Sequence, residues 1–288
     1  MRRRRARAAA AAAAATPKVQ LLGLCRFSVP SLGAFKVEHD SIDDRRAMLY
    51  APDRLAHRLA WFRHVALPAL RAQTDPDFRL VLLLGEDLPE PWRGLVLDLV
   101  ADVPQVAVEY APAGPHREVC AEAMRRHVDP DADVVAQFRL DDDDAVAVDF
   151  VARTRAEVPF LMPHFLRGGL CALDWCRGVL LTEVAGTLTP TLRRAQLWTP
   201  ALVILTRPEA EKMVLDYPHH LVWRQMPVLS LVDEVMFLRG AHGGNDSIIA
   251  QEKRPETLPA ARWPDLLRQR FGIDLAAFRT VIEVLRKD

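Results

Sequence analysis

The chain has 288 residues, half of them hydrophobic and 26% charged, with 38 basic against 38 acidic side chains and no net charge. That length suits one large α/β domain or two small ones, and the balanced charge provides no basic field of the kind that draws nucleic acid. The cysteines Cys25, Cys120, Cys171 and Cys176 show neither CxxC nor finger spacing, so buried free thiols and a cytoplasmic setting are expected. No stretch reaches the ~20 apolar residues of a membrane span.

Residues 1–17, basic at Arg2 to Arg5 and then rich in alanine, read as a disordered Arg/Ala-rich tail. Alanine is a weak core for a secretion signal. The basic start leaves room for peripheral contact with anionic lipid at an inner membrane face. Lys18 to Phe27 is apolar and β-rich, a first strand, and Ser28 to Ser41 reads as a loop. Asp53 can cap a helix from Arg54, with Leu55, Leu59, Phe62 and Ala66 at helical spacing. Pro68 divides it from a shorter helix ending near Gln73. Phe78 to Leu84 is a short continuous apolar run, as a buried parallel strand requires. Helices over Pro89–Val100 and Arg117–His127, with strands over Val106–Tyr110 and Val134–Leu140, complete a β-α-β-α-β-α-β order. Such alternation argues for an α/β fold, a Rossmann-like and mainly parallel central sheet with helices on both faces. Beyond it come a helix over Phe150–Val158, strands at Gly178–Glu183 and Pro200–Leu205, and a short helix at Pro208–Asp216. A β-like run at Val235–Leu238 and an amphipathic helical segment from Arg262 to Lys287 follow. The expected organisation is the tail, one domain over 18–250, and a C-terminal helical extension over 251–288.

The densest chemical signal is Asp141-Asp142-Asp143-Asp144, directly after the strand ending Phe138-Arg139-Leu140. Adjacent carboxylates repel, and a fold tolerates them where water or a cation screens them. Hard divalent cations such as Mg²⁺ or Mn²⁺ favour oxygen ligands of this kind. Alternate strand residues point the same way, so Asp141 and Asp143 can share a metal and a substrate phosphate. Ligands of open α/β sheets sit beyond the carboxyl ends of strands, where this block falls; a solvated acidic turn is the competing reading.

With Cys25-Arg26-Phe27-Ser28, Leu67-Pro68-Ala69-Leu70-Arg71-Ala72-Gln73-Thr74, Arg139-Leu140-Asp141-Asp142-Asp143-Asp144-Ala145 and His242-Gly243-Gly244-Asn245-Asp246-Ser247 in this order, the chain resembles the rhamnosyltransferase family. That group is similar to family 2 glycosyltransferases of GT-A fold. The resemblance spans roughly Val19 to Ser247. It implies a nucleotide-sugar-dependent transferase, inverting, with Mn²⁺ or Mg²⁺ and a glycan or glycolipid acceptor. The Asp-x-Asp pattern of that group lands on Asp141-Asp142-Asp143. Asp143 is then the direct metal ligand, with Asp144 supporting the sugar or the metal shell and Asp141 and Asp142 nearer the donor. A late histidine completing the metal shell lands on His242, with Asn245 as a donor contact.

Arg26, at the end of the first strand, is suited to a diphosphate or a base carbonyl, and Ser28 can assist there. Arg139 can contact the donor or offset the repulsion among the aspartates. An inverting transferase needs a base; the closest match is Asp233 with Glu234, although the order Asp-Glu departs from the Glu-Asp usual in the family. Asp174 competes. His219-His220 reads as loop, and His164, Cys171 and Cys176 lack a fourth ligand for zinc. Trp175, Trp198 and Trp223 can stack on a sugar or pack. Two other readings stay open. A nucleotidyltransferase would carry a Gly-rich cradle after the first strand, absent from Leu24 to Pro30. A non-catalytic nucleotide- or carbohydrate-binding protein would keep the scaffold without turnover.

Overall fold

The computed structural model describes residues 17–32, 41–245, 256 and 258–286. The predicted tail up to residue 16, and Asp246 and Ser247 of the late motif, lie outside the described residues. In chain order the elements are β1 (Val19–Phe27), β2 (Ser31–Leu32), α1 (Ile42–Leu49), α2 (Pro52–Trp61), a π-helical turn (Phe62–Ala66), α3 (Leu67–Arg71), β3 (Arg79–Gly85), α4 (Trp92–Val100), β4 (Val106–Ala111), β5 (Gly114–Pro115), α5 (His116–Arg125), β6 (Val134–Asp141) and β7 (Ala145–Val146). Then follow α6 (Phe150–Gly168), β8 (Leu170–Trp175), β9 (Arg177–Val184), β10 (Thr187–Arg194), β11 (Leu202–Thr206), β12 (Val228–Leu231), β13 (Phe237–Ala241), α7 (Trp263–Phe271) and α8 (Leu275–Leu285).

A seven-stranded sheet has the order β12-β8-β11-β6-β1-β3-β4, and a second sheet has the order β10-β9-β13-β7. In the large sheet β6, β1, β3 and β4 run parallel, as do β12 and β8; β11 is antiparallel to both its neighbours. The α/β class and the mainly parallel sheet expected from the alternation are therefore present. Helices cover both faces, because alternate residues of one strand enter different cores. Leu80, Leu82 and Leu84 of β3 join the cluster that holds α6, α7 and α8, whereas Val81 and Leu83 join the cluster under α5.

Several elements differ from the sequence reading for identifiable reasons. Asp53 lies in the first turn of α2, and Ala51 takes the cap position. Pro68 does not end the helix before it: the backbone widens into a π turn and continues into α3, an adjustment that absorbs the missing proline donor. Helix α6 runs ten residues beyond Val158, through Pro159 and Pro163, to Gly169 at φ 68°. Its buried stripe, Val151, Thr154, Val158, Leu161 and Phe165, keeps helical spacing across both prolines. Pro208–Asp216 is not a helix; only a 3-10 turn forms at Val214–Asp216, with Val214 N–H donating to Gln137 Oε1 at 2.9 Å. Strand β10 carries Pro190, which argues against a central strand, and it lies at an edge of the second sheet.

The C-terminal segment is two helices parted at Gly272, φ 68°. It is integral to the interior: Trp263, Leu267, Phe271, Phe278 and Ile282 belong to the larger core cluster. Phe278 packs edge-on against Trp61 with ring centroids 5.0 Å apart.

Candidate active site

The site begins with strand register. In the parallel ladder of β1 and β6, Arg26 is the partner of Asp141, and its guanidinium donates to that carboxylate. After Asp141 the chain turns tightly, Asp144 N–H donating to the Asp141 carbonyl at 3.0 Å, and enters β7. Antiparallel pairing of β7 with β13 delivers the segment Gly240 to Asn245 against the aspartates. Gly240 permits that approach, because a Cβ there would lie 2.6 Å from the Asp143 carbonyl oxygen. Gln73, the polar end of the Leu-Pro-x-Leu-x-x-Gln segment, latches the other side. Its amide donates to the Ala147 carbonyl at 2.8 Å and its Oε1 accepts from Val151 N–H at 3.1 Å.

The four aspartates do not share one role. Asp141, Asp143 and Asp144 each offer a carboxylate oxygen to one place, these atoms lying within 4.8 Å of one another. Asp142 is buried away from the cleft, where Arg58 Nε donates to its Oδ2 at 2.9 Å. The expected donor contact of Asp142 is thus replaced by an ion pair with Arg58, and Asp142 does not line the cleft. Arg58 Nη1 also reaches Asp143 Oδ2 at 3.1 Å. That same oxygen accepts from Asn245 Nδ2 at 2.7 Å and is paired with His242 Nε2 at 2.9 Å. Asp144 Oδ1 accepts from Gly240 N–H at 3.1 Å.

Electrostatics separate the three cleft carboxylates. Burial pushes Asp141 up, but Arg26 and Arg139 outweigh it and hold its carboxyl well below the usual range. Asp143 is raised by burial and lowered further by Arg58 and His242, with a net decrease. Asp144 is raised well above its ordinary value by burial and by the charges of Asp143 and Asp141. Three clustered carboxylate oxygens, whose mutual repulsion a cation would relieve, match what a hard divalent cation requires. Among the described residues no other cluster of His, Cys, Asp or Glu has this form; His164, Cys171 and Cys176 do not gather.

The aspartates face a cleft of about 370 Å³. Arg26, Ser28, Arg139 and Asn245 of the sequence reading line it, together with Asp141, Asp143 and Asp144. Ser28 holds a left-handed φ of 49°, is only 8% exposed, and its hydroxyl has no hydrogen-bond partner among the described residues. Strain plus an unmet buried hydroxyl at a cleft wall is a mark of a ligand contact. Arg139 is brought down to about 10, chiefly by burial. His242 sits behind Asp143 with its ring enclosed. Asp233 and Glu234 are not brought to the cleft. They follow β12, three strands from β6, roughly 14 Å away at the ordinary strand spacing. Asp233 is exposed, its carbonyl accepting from Arg177, and Glu234 pairs with Arg153 at 3.6 Å. Asp174 is buried and accepts from Leu197 N–H at 3.0 Å and Ser230 Oγ at 3.1 Å, a structural knot outside the cleft. Trp175 is buried, Trp198 lies under Arg239, and Trp223 is exposed with Arg224 over its ring.

Sequence reasoning missed much of the cleft. Arg45, Arg54, Arg58, Arg117 and Arg239 line it, as do His116, His219 and His220. Arg54 and Arg58 are spaced i,i+4 on α2, a polar stripe flanking the leucines that the periodicity contained. His116 is held down to about 3, mainly by burial and then by Arg26. As a neutral ring its Nε2 accepts from Arg26 Nη1 at 2.8 Å, and its Nδ1–H donates to Ser31 Oγ at 3.0 Å. No motif marks that relay.

Residues 20–254 match the family described as "Putative rhamnosyl transferase". No curated protein matches the sequence. Among solved structures, Staphylococcus aureus TarS 1-349 in complex with UDP-GlcNAc is similar at 12% identity and a TM-score of 0.38, covering 80% of this chain and 60% of TarS 1-349. The mannosyltransferase PcManGT of Pyrobaculum calidifontis, in complex with GDP-Man and Mn²⁺, is similar at 10% identity and a TM-score of 0.39, covering 78% of this chain and 57% of its own. A "putative nucleotide-diphospho-sugar transferase" of Desulfovibrio desulfuricans has 13% identity and a TM-score of 0.38, covering 93% and 96%. This chain thus spans about 60% of the length of the TarS 1-349 structure. The fold is α/β, a mainly parallel sheet with an acidic segment at the end of a central strand. No helix of the described residues is long and apolar enough to cross a membrane.

Proposed function

Since the chain belongs to this rhamnosyl transferase family, we propose that it is a metal-dependent glycosyltransferase. It takes a sugar, rhamnose in keeping with the family, from a nucleotide-sugar donor and passes it to a hydroxyl of a glycan or glycolipid. The observation that carries the reading is the gathering of Asp141, Asp143 and Asp144 oxygens within 4.8 Å at the end of β6, facing an arginine-lined cleft.

Those three carboxylates would hold Mn²⁺ or Mg²⁺, an oxygen set suited to either. Bound there, the cation supplies neutralisation of the charge that develops on the departing nucleoside diphosphate. The chain's own groups do the rest. Arg139 and Arg117 on the cleft wall present guanidinium groups to phosphate oxygens. The Ser28 hydroxyl offers a hydrogen bond that a donor accepts or completes. Arg26 keeps Asp141 ionised, and His116 fixes where Arg26 points. The cleft works on an acceptor carried by a glycan chain or presented at a membrane surface.

The test is a panel of UDP-, GDP- and dTDP-sugars assayed for hydrolysis and transfer with Mn²⁺, Mg²⁺ or EDTA, on wild type and Asp143→Ala. One donor should turn over only with cation, and the variant should lose that turnover while keeping its fold. Full activity of Asp143→Ala, or silence of folded wild type across the panel, would sink the reading.

A further inference from the structure

We propose that His242 is not a ligand of the cation but a positioning residue, which together with Arg58 and Asn245 pins one oxygen of Asp143 so that the other faces the metal. This rests on the cation reading above and goes beyond it by dividing the late motif into groups that touch the metal and groups that aim its ligand.

The first argument is occupancy. Asp143 Oδ2 is approached by Asn245 Nδ2 at 2.7 Å, His242 Nε2 at 2.9 Å and Arg58 Nη1 at 3.1 Å. A carboxylate oxygen has about two lone-pair sites, so three donors leave Oδ2 nothing to give a cation. Oδ1 is the atom with capacity to spare, and the Asp143 carboxylate belongs to the cluster with Asp141 and Asp144.

The second argument is the histidine tautomer. Gly244 N–H donates to His242 Nδ1 at 3.1 Å, so Nδ1 carries no proton and Nε2 does. Nε2–H is aimed at Asp143, which leaves that nitrogen no lone pair for a metal. The ring is also wedged. His57 packs edge-on at 4.7 Å and Trp61 at 5.0 Å between centroids. Both are anchored by Glu183 Oε2, which pairs with His57 Nε2 at 2.7 Å and accepts from Trp61 Nε1 at 3.1 Å. His242 is also absent from the lining of the cleft.

The third argument is the fork of Arg58. One arm holds Asp142 and the other Asp143, so a single guanidinium fixes two consecutive carboxylates, of which Asp143 lines the cleft. The result is an all-oxygen ligand set, which favours Mn²⁺ or Mg²⁺ over imidazole-seeking Zn²⁺ or Ni²⁺.

The probe is Mn²⁺ added to the full chain, alone and with UDP, GDP or dTDP, followed by calorimetry and pulsed EPR. Wild type should show no directly coordinated ¹⁴N. His242→Leu and Arg58→Met should weaken Mn²⁺ by about tenfold or more, as groups that orient a ligand usually do. His242→Gln, whose amide can still donate to Asp143, should recover most of the loss. Arg58→Met leaves Asp142 buried without its partner and risks misfolding, so Asn245→Leu provides an independent arm with the same expected weakening. A coordinated ¹⁴N signal, or unchanged affinity in both His242→Leu and Asn245→Leu while Asp143→Asn abolishes binding, overturns this inference alone. Mn²⁺ binding by Asp143→Asn equal to wild type, or none by wild type, overturns it together with the cation reading.

Discussion

Replacing Gly240 by alanine adds one methyl group where β13 meets the turn that carries Asp143. The new Cβ would sit 2.6 Å from the Asp143 carbonyl oxygen and 3.0 Å from both Asp143 Cβ and Trp61 Cζ3. A carbon–oxygen contact normally needs about 3.3 Å, so the strand and the aspartate turn must separate by roughly 0.7 Å. The nearest atoms are backbone and a wedged ring, which cannot swing aside. Overpacking of this kind costs about 1–3 kcal/mol, offset by up to about 1 kcal/mol from the lower chain entropy of alanine. At about 2–4 °C per kcal/mol for a domain of this size, Tm should fall by a few degrees. Function should suffer more, because misplacing a reacting group by about 1 Å can cost a hundredfold in rate. The assays are thermal melting, Mn²⁺ titration and donor turnover. Gly243→Ala is the control, since a Cβ there meets nothing within 4 Å. If Gly240→Ala matches that control in all three, the site does not depend on contact between β13 and the Asp143 turn.

Three further outcomes follow from the geometry. Burial and the charges of Asp143 and Asp141 raise the Asp144 carboxyl well above 3.8. The folded protein therefore holds a proton that the unfolded chain releases earlier, and the associated stability is complete below about pH 4 and lost as pH rises through the raised value. In EDTA, Asp144→Asn should be more stable than wild type by a margin that grows with pH; a margin that shrinks would mean Asp144 is ionised in the fold. His116→Ala removes one of the contacts that orient Arg26 and should lower kcat/KM for the donor by about tenfold, the scale of a hydrogen bond to a charged group, with an unchanged kcat/KM counting against the relay. Asp233→Asn and Glu234→Gln lie off the cleft and should leave donor turnover within about twofold, an experimental error scale for surface changes; a large loss in kcat would restore them as candidates for the base.

The parts of the fold legible in the sequence were those with one dominant period. The apolar runs of β1, β3 and β6 need only be buried on both faces, and the aspartates announce themselves by charge. The less legible parts depend on partners far along the chain. Strand β10 forms around Pro190 because β9 pairs with it along its length, and α6 crosses two prolines because its buried stripe continues. In the site, Arg58 and His116 occur among many arginines and nine histidines, and only three-dimensional proximity separates them from surface residues. The four consecutive aspartates looked equivalent in sequence. Their division into three cleft groups and one buried counter-ion is visible only in three dimensions, where Arg58 pairs with Asp142. Asp233 and Glu234 resembled a base by type alone, and strand order placed them elsewhere.

The aromatic contact between Phe278 and Trp61 joins the chain's end to the wall behind the aspartates, since Trp61 also borders His242. The family match stops at residue 254, yet the hydrophobic interior extends through Trp263 to Ile282. Evolutionary boundary and cooperative unit therefore do not coincide. A polypeptide shortened to the matched region would expose the back of Trp61 and unseat the imidazole that rests on it, so damage at the far terminus should register first as lost cation affinity.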